Sequence, residues 1–287
     1  MALRITKQEF ILLRDLIEKQ CGITLGDGKV YLVESRLSNL VKEIGGKCFG
    51  DLYQKLTNSS QSKYLLGAMV DAITTNETLW FRDQYPYKIL SEKILPQLKD
   101  EIVQGKRSRI EIWSCACSTG QEPYSIAMSA LDFYKYINHE EDCYRQVNIL
   151  ASDISQKALF KAKTGEYETT AMDRGLSPEH TERFFTKGNK DWIIADNIKK
   201  MVTFKEVNLK YLNPGLGGPF DIIFLRNVII YFSDSFKKTL FDHMTRLLSP
   251  KGYLFLGAGE TVSGYTEAFE VIPYKGAIYY RLKEKIH

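Results

Sequence analysis

The sequence predicts an α/β protein with a doubly wound, mostly parallel sheet, preceded by an all-helical segment. Three observations carry this. Up to residue 105, apolar residues recur at helical spacing and no strand-like alternation appears. After Lys106-Arg107-Ser108, short apolar runs alternate with amphipathic stretches, the pattern of a parallel sheet covered on both faces. The chain closes on two strand-like runs around Lys275-Gly276, a hairpin that would add an antiparallel edge.

The elements follow in order. Thr6 and Glu9 have the spacing of a capping box ahead of Phe10, Leu13, Leu16 and Ile17, and Gly22 sits where a glycine ends a helix. A second helix is expected from Lys29 to Ile44, with Val33, Leu37, Leu40 and Val41 on its apolar stripe and Gly45-Gly46 as its stop. Further helical patterns cover Leu52 to Leu56 and Tyr64 to Ile73. Strands are expected at 109–113, 147–151, 201–207, 220–225 and 253–257, and helices at 124–137, 155–163 and 235–248, the last ended by Pro250 and Gly252. Residues 166–200 break the alternation. A structureless loop of that length is unusual, so a small inserted subdomain with a short antiparallel β unit is expected there. The resulting division is a helical domain over 1–75, a linker over 76–105, and an α/β domain over 106–287.

Composition narrows the function classes. With 44% hydrophobic and 26% charged residues the chain is of ordinary globular type, not disordered. The 39 basic and 35 acidic side chains leave a net charge of only +4, which argues against nucleic acid as a partner. The five cysteines include no C-x-x-C pair and no zinc spacing, so free thiols in a reducing cytoplasm and no metal site are expected. The most apolar run, Ile222 to Phe232, is interrupted by Arg226 and Asn227 and is too short to span a bilayer.

In an open α/β sheet, ligands bind beyond the carboxyl ends of the strands. The first strand leads into Ser114-Cys115-Ala116-Cys117-Ser118-Thr119-Gly120-Gln121-Glu122, a small-residue loop that lets a ligand approach its backbone. It lacks both the G-x-G-x-x-G spacing and the Walker lysine, which disfavours dinucleotides and ATP. Glu122 suits a cationic group such as an ammonium. Asp153, after the second strand, can accept from ribose hydroxyls or cap the next helix. Asn208 and Leu209 follow the third strand. After the fourth, Arg226 and Asn227 interrupt an apolar stretch, with Tyr231 four residues on; burying such groups costs several kcal/mol unless they are paired. A nucleoside, an ammonium and no pyrophosphate together describe S-adenosylmethionine. Ahead of the α/β part, Asn76, Thr78 and Arg82 stand among Leu79, Trp80 and Phe81. If a helix starts near Thr78, Arg82 stacks above it at i+4.

Four stretches in this order, T-T-N-E-T-L-W-F-R (74–82), W-S-C-A-C-S-T-G-Q-E-P-Y-S (113–125), A-S-D-I (151–154) and R-N-V-I-I-Y-F (226–232), resemble the CheR family of chemotaxis-receptor glutamate methyltransferases over almost the whole chain. The resemblance implies a class I S-adenosylmethionine-dependent methyltransferase fold, Rossmann-like, with an inserted small β-subdomain and an all-α N-terminal domain for receptor recognition. It implies that Asn76, Thr78 and Arg82 close over the methionine end of S-adenosylmethionine. Glu122 would lie at the ammonium, Asp153 at the ribose, and Asn208, Leu209, Arg226 and Asn227 at the adenine and neighbouring edge. Arg82 and Tyr231 would stand nearest the transferring methyl. The products would be a receptor glutamate methyl ester and S-adenosylhomocysteine. The partner would be the cytoplasmic helical domain of a chemotaxis receptor, met by a cytoplasmic, monomeric enzyme that does not insert into the membrane.

The chain departs from the family pattern in four places. Cys115 and Cys117 replace alanines and could make the site oxidation-sensitive. Gly257-Ala258-Gly259-Glu260 stands where G-H-S-E is usual, so nothing expected of that histidine carries over. The second helix has fewer arginines than usual, with Lys29, Arg36 and Lys42 offset by Glu34 and Glu43, which would weaken electrostatic docking of an acidic receptor helix. The insert is a few residues shorter than in members that bind a receptor's C-terminal pentapeptide, so no such tether is expected. Two rival readings remain on the residues alone. One is an amino-methyltransferase acting on nucleic acid or a small molecule; the other is a cofactor-binding regulator without activity.

Overall fold

The first helix begins as its sequence dictates. Thr6 accepts from the Glu9 N–H, the Glu9 side chain returns to the Thr6 N–H, and α1 runs over Lys7–Cys21 to Gly22 in the left-handed conformation. The computed structural model describes residues 3–58, 62–212 and 214–284. Helices α2 (Val30–Glu43), α3 (Phe49–Asn58) and α4 (Ser62–Ile73) complete an amino-terminal bundle whose core holds Leu13, Ile17, Val33, Leu37, Phe49, Leu52 and Met69. Arg36, on α2, does more than present charge. Its guanidinium donates to the carbonyls of Ile73 at 2.6 Å and Thr74 at 2.7 Å and to Thr75 Oγ1 at 3.0 Å. It therefore caps the end of α4 and fixes the start of the segment that follows.

Residues 85–103, linker in the sequence reading, are helical: α5 (Tyr85–Ile89) passes through a π turn at Leu90–Ile94 into α6 (Leu95–Val103). No helix starts near Thr78. The chain is irregular from Thr75 to Leu79 and turns at residues 80–83, with φ of 48° at Phe81, 67° at Asp83 and 49° at Gln84. Arg82 is thus not stacked over Thr78 by helical spacing.

The α/β part alternates β1 (Ile110–Cys115), α7 (Gln121–Tyr136), α8 (Glu140–Gln146), β2 (Val147–Asp153) and α9 (Gln156–Thr164). The insert then supplies β3 (Glu166–Glu168), α10 (Thr169–Met172), α11 (Pro178–Phe184), β4 (Phe185–Lys187) and β5 (Asp191–Ile194). These three strands form a separate antiparallel sheet in the order β3-β5-β4. The chain returns through α12 (Asp196–Lys200), β6 (Val202–Glu206), β7 (Phe220–Leu225), α13 (Asp234–Leu247), β8 (Leu248–Leu256), β9 (Phe269–Tyr274) and β10 (Ala277–Leu282). The main sheet has the order β6-β2-β1-β7-β8-β10-β9, parallel except for β10, which runs antiparallel to both neighbours. Strand β8 starts earlier than its sequence suggests, because Leu248 pairs with Phe220 across a register shift. Pro250 therefore lies within the strand rather than ending the helix.

Period-two alternation buries both faces of the sheet. Ile112, Ile149, Ile222, Phe224 and Phe255 face a core shared with α5 to α7; Trp113, Leu150, Ile223, Leu225 and Leu254 face a second core shared with Leu240, Phe241 and Met244 of α13. The helical bundle docks where the strands end. Ile23 pairs with Phe232 in an isolated antiparallel bridge, and the Thr24 N–H donates to the Tyr231 carbonyl at 2.8 Å. The carbonyls at the end of α1 are capped by the segment after β6: Asn208 Nδ2 on Gln20, Lys210 Nζ on Glu18, and Tyr211 OH on Lys19.

Candidate active site

Every parallel strand of the main sheet delivers its next residues to the same end, and the docked bundle and residues 74–82 roof that end over. The result is a cavity of about 460 Å³, within the range of a small-molecule site. Asn76, Thr78, Arg82, Glu122, Asp153, Asn208, Leu209, Arg226, Asn227 and Tyr231 all line it. Residues from the bundle that the sequence reading did not place at the cavity join them, among them Ile23, Leu25, Lys29 and Leu32.

The loop after β1 turns tightly. Ala116 and Ser118 both have φ of 51° and Gly120 has φ of 95°, after which α7 begins with Glu122 in its first turn. Gly120 is required here: a Cβ would sit 3.0 Å from both Ala162 Cβ and the Tyr167 hydroxyl. Asp153 closes the loop against β2, accepting from the Ser118 N–H at 2.8 Å and the Ser155 N–H at 2.9 Å. It is not the cap of α9; Ser155 is, accepting from the Ala158 N–H. Burial pushes the Asp153 carboxyl up, against the opposing pull of these backbone N–H donors.

Arg226 shows how a charge is kept in this interior. Its side chain is 1% exposed. Nη1 donates to Glu122 Oε2 at 2.8 Å; Nη2 donates to Asp83 Oδ2 at 2.7 Å and to the Arg82 carbonyl at 2.8 Å. Its guanidinium also lies 5.8 Å from the centre of the Tyr87 ring. Burial raises the Glu122 carboxyl, with Arg226 and the Ser114 hydroxyl pulling it back. The guanidinium stays charged, its carboxylate partners raising it further. Glu122 therefore meets the cavity with one oxygen on Arg226 and the other on Ser114. Asn208 is similarly engaged, donating to Gln20 and accepting from the Lys210 N–H at 3.0 Å.

Arg82 differs. Among the described residues its side chain bonds only the Glu77 carbonyl, at 3.4 Å. It lines both the cavity and the shallower groove outside it between residues 79–85 and 174–175. The segment carrying it is wedged in place by its neighbours. Trp80 is buried edge-on against Tyr167 and Phe185 of the insert, Phe81 stacks on His180, and the Phe81 N–H donates to Ser125 at 3.0 Å. Cys115 and Cys117 are fully buried, and burial drives both thiols well above their ordinary range. This opposes the expected sensitivity to oxidation, which needs an accessible thiolate.

Sequence reading missed Glu260, whose carboxylate grips the backbone of the loop after β7. Its sequence signal is the acid that closes the Gly257-Ala258-Gly259-Glu260 stretch, three residues beyond the glycine that follows a strand. Among the described residues no His, Cys, Asp and Glu cluster could hold a metal, and no helix is long and apolar enough to cross a membrane.

The CheR methyltransferase S-adenosylmethionine-binding domain matches residues 76–278, and the CheR all-alpha domain matches residues 8–74. The chain belongs to the CheR methyltransferase family. It is 43% identical to chemotaxis protein methyltransferase 1 of Pseudomonas aeruginosa, over 96% of this chain and 98% of that protein. It is 44% identical to the chemotaxis protein methyltransferase of Vibrio parahaemolyticus, over 98% of this chain and 99% of that one. The chemotaxis protein methyltransferase of Salmonella typhimurium is 31% identical over 89% of this chain and 84% of its own length. The chain is an S-adenosylmethionine-dependent methyltransferase of class I fold, and the cavity suits that cofactor chemically. It offers carboxylates at Asp153 and Glu122, apolar walls at Leu209, Ile154 and Val228, and a cation at Arg82.

The raised Asp153 carboxyl gives a testable pH dependence. With Asp153 in the ribose-binding role that the resemblance implies, a ribose hydroxyl would donate to the ionised form, and protonation would weaken cofactor binding. Because the shift is upward, the loss on acidification begins above the free aspartate value of about 4. Calorimetric titration of S-adenosylmethionine against pH should show this decline, and Asp153→Asn should bind more weakly and flatten it.

Proposed function

We propose that this protein transfers the methyl group of S-adenosylmethionine to glutamate side-chain carboxylates of chemotaxis receptors, forming glutamate methyl esters. The observation that carries the reading is the placement of Arg82. Among the described residues its side chain bonds only the Glu77 carbonyl, and it sits at the border between the cavity and an outer groove. An arginine there can hold a carboxylate in line with a methyl donor.

The cofactor supplies an electrophilic methyl group on its sulfonium. A substrate glutamate is already anionic at neutral pH, with a free value of about 4.3, so no general base is needed. The protein's task is orientation, which can lower such a barrier by about 7–11 kcal/mol. Asn76 and Thr78 close the methionine end with Arg82; Asp153 takes the ribose; Leu209 and Asn227 border the adenine. Glu122 carries negative charge toward the ammonium, shared with Arg226. Tyr231 acts as a hydrogen-bond donor or a wall beside the methyl. The substrate is the cytoplasmic helical domain of the receptor, met by a monomer in the cytoplasm without nucleic acid. Residues 1–75 serve as the recognition domain and 76–105 as a linker that contributes to the site.

Receptor-containing membranes and radiolabelled S-adenosylmethionine test the reading. Base-labile label on the receptor is expected; base-stable label would mark N-methylation, and no label with cofactor binding intact would mark a regulator. Arg82→Ala should lose most turnover and Tyr231→Phe less, whereas unimpaired methylation by Arg82→Ala would remove Arg82 from the mechanism. Calorimetry with a receptor C-terminal pentapeptide should show no tight binding, in keeping with the short insert.

A further inference from the structure

Glu260 follows β8 and is 7% exposed, yet among the described residues no Lys, Arg or His pairs with it. Its partners are backbone. Oε2 accepts from the Asn227 N–H at 2.6 Å and the Gly257 N–H at 2.7 Å, and Oε1 accepts from the Ile229 N–H at 2.9 Å. Bonds from N–H donors to a carboxylate are shorter and stronger than those between neutral groups. These three tie the loop after β7 to the loop after β8.

The fit is close. Asn227 has φ of 58°, in the left-handed region. Gly257 leaves no room for a side chain, because a Cβ there would collide with the Asn227 amide and lie 2.8 Å from Glu260 Oε2. Ile229 opens the single helical turn that ends at Tyr231, in which the Tyr231 N–H donates to the Val228 carbonyl at 3.2 Å. The far end of the turn is held from the other side, where the Thr24 N–H reaches the Tyr231 carbonyl. The turn is thus pinned at its front by Glu260 and at its back by the helical bundle. Asn227 and Tyr231 both face the cavity.

We propose that Glu260 is a positioning residue for methyl transfer: its grip on the Asn227 and Ile229 N–H groups sets where Asn227 meets the cofactor and where Tyr231 meets the transferring methyl. The Tyr231 part rests on the receptor-methylating reading; the Asn227 part rests only on cofactor binding. In Glu260→Gln an uncharged amide replaces the carboxylate and turns an N–H₂ donor toward backbone donors, so the loop relaxes without a change in side-chain size.

The test uses the full chain, receptor-containing membranes and calorimetry with S-adenosylmethionine. Misplacing reacting groups by about 1 Å can cost about 100-fold in rate, so Glu260→Gln should lose at least about tenfold in kcat at saturating cofactor, with receptor KM unchanged. Cofactor affinity should weaken about threefold or more, the scale of losing one ordinary hydrogen bond from Asn227. Because Glu260 acts through the turn, adding Tyr231→Phe to Glu260→Gln should cost less than the product of the two single losses. If Glu260→Gln does not fold, Gly257→Ala displaces the loop with the carboxylate retained and should give the same pattern. Wild-type kcat and affinity, a loss confined to receptor KM, or fully multiplicative losses would overturn the proposal. If the unaltered protein leaves receptors unlabelled, the function reading fails instead, and the cofactor-affinity arm still decides the Asn227 part.

Discussion

One buried guanidinium holds the two walls of the cavity together. Arg226 leaves the carboxyl end of β7 and bonds at once to the first turn of α7 through Glu122 and to the roof segment through Asp83 and the Arg82 carbonyl. A charge this deep is tolerable only with such partners, and removing one partner of a buried pair costs about 3–5 kcal/mol. The roof has no regular secondary structure to hold its shape. Its turn carries positive φ at Phe81, Asp83 and Gln84, a conformation that costs about 1–3 kcal/mol per residue and persists only where the surroundings impose it. Arg226 is the main imposing contact from the sheet side, and it bonds the backbone of Arg82, whose side chain lines both the cavity and the outer groove.

The other parts of the molecule brace the same roof. The insert supplies Tyr167 and Phe185 against Trp80, and the Trp80 N–H donates to the Arg174 carbonyl. Arg174 in turn pairs with Glu77 at 3.1 Å. Arg36 ties down the roof's first residues from the helical bundle, which is itself fastened by the caps on the end of α1. The bundle is therefore part of the cavity's wall. This also limits what its basic residues can do outside, since Arg36 is already spent on carbonyls and the electrostatic face of α2 rests on fewer charges than its sequence suggests.

The legible parts of the sequence were those whose side chains face one way at a fixed period. Phe220–Leu225 reads as a strand because all six residues are buried, and the closing hairpin reads from Lys275-Gly276. Asn227 and Arg226 stood out because polar groups in an apolar run must be paired. What stayed hidden depends on the backbone. The left-handed turn at residues 81–84 has no periodic signature, so the segment looked like a helix start. Residues 85–103 carry Pro86 and a π turn that blur their 3.6-residue period. Glu260 binds only backbone N–H groups, so no partner side chain marks its role in the sequence.

The roof's position, and with it the cofactor cavity, depends on the link from Arg226 to Asp83. Asp83 is the place to test it, since it reaches the guanidinium without lining the cavity. Calorimetric titration of Asp83→Asn with S-adenosylmethionine, on protein shown by circular dichroism to retain its secondary structure, reads the link directly. An affinity loss of about tenfold or more is expected, the scale of a weakened charge-assisted bond. Wild-type affinity in the folded variant would contradict it.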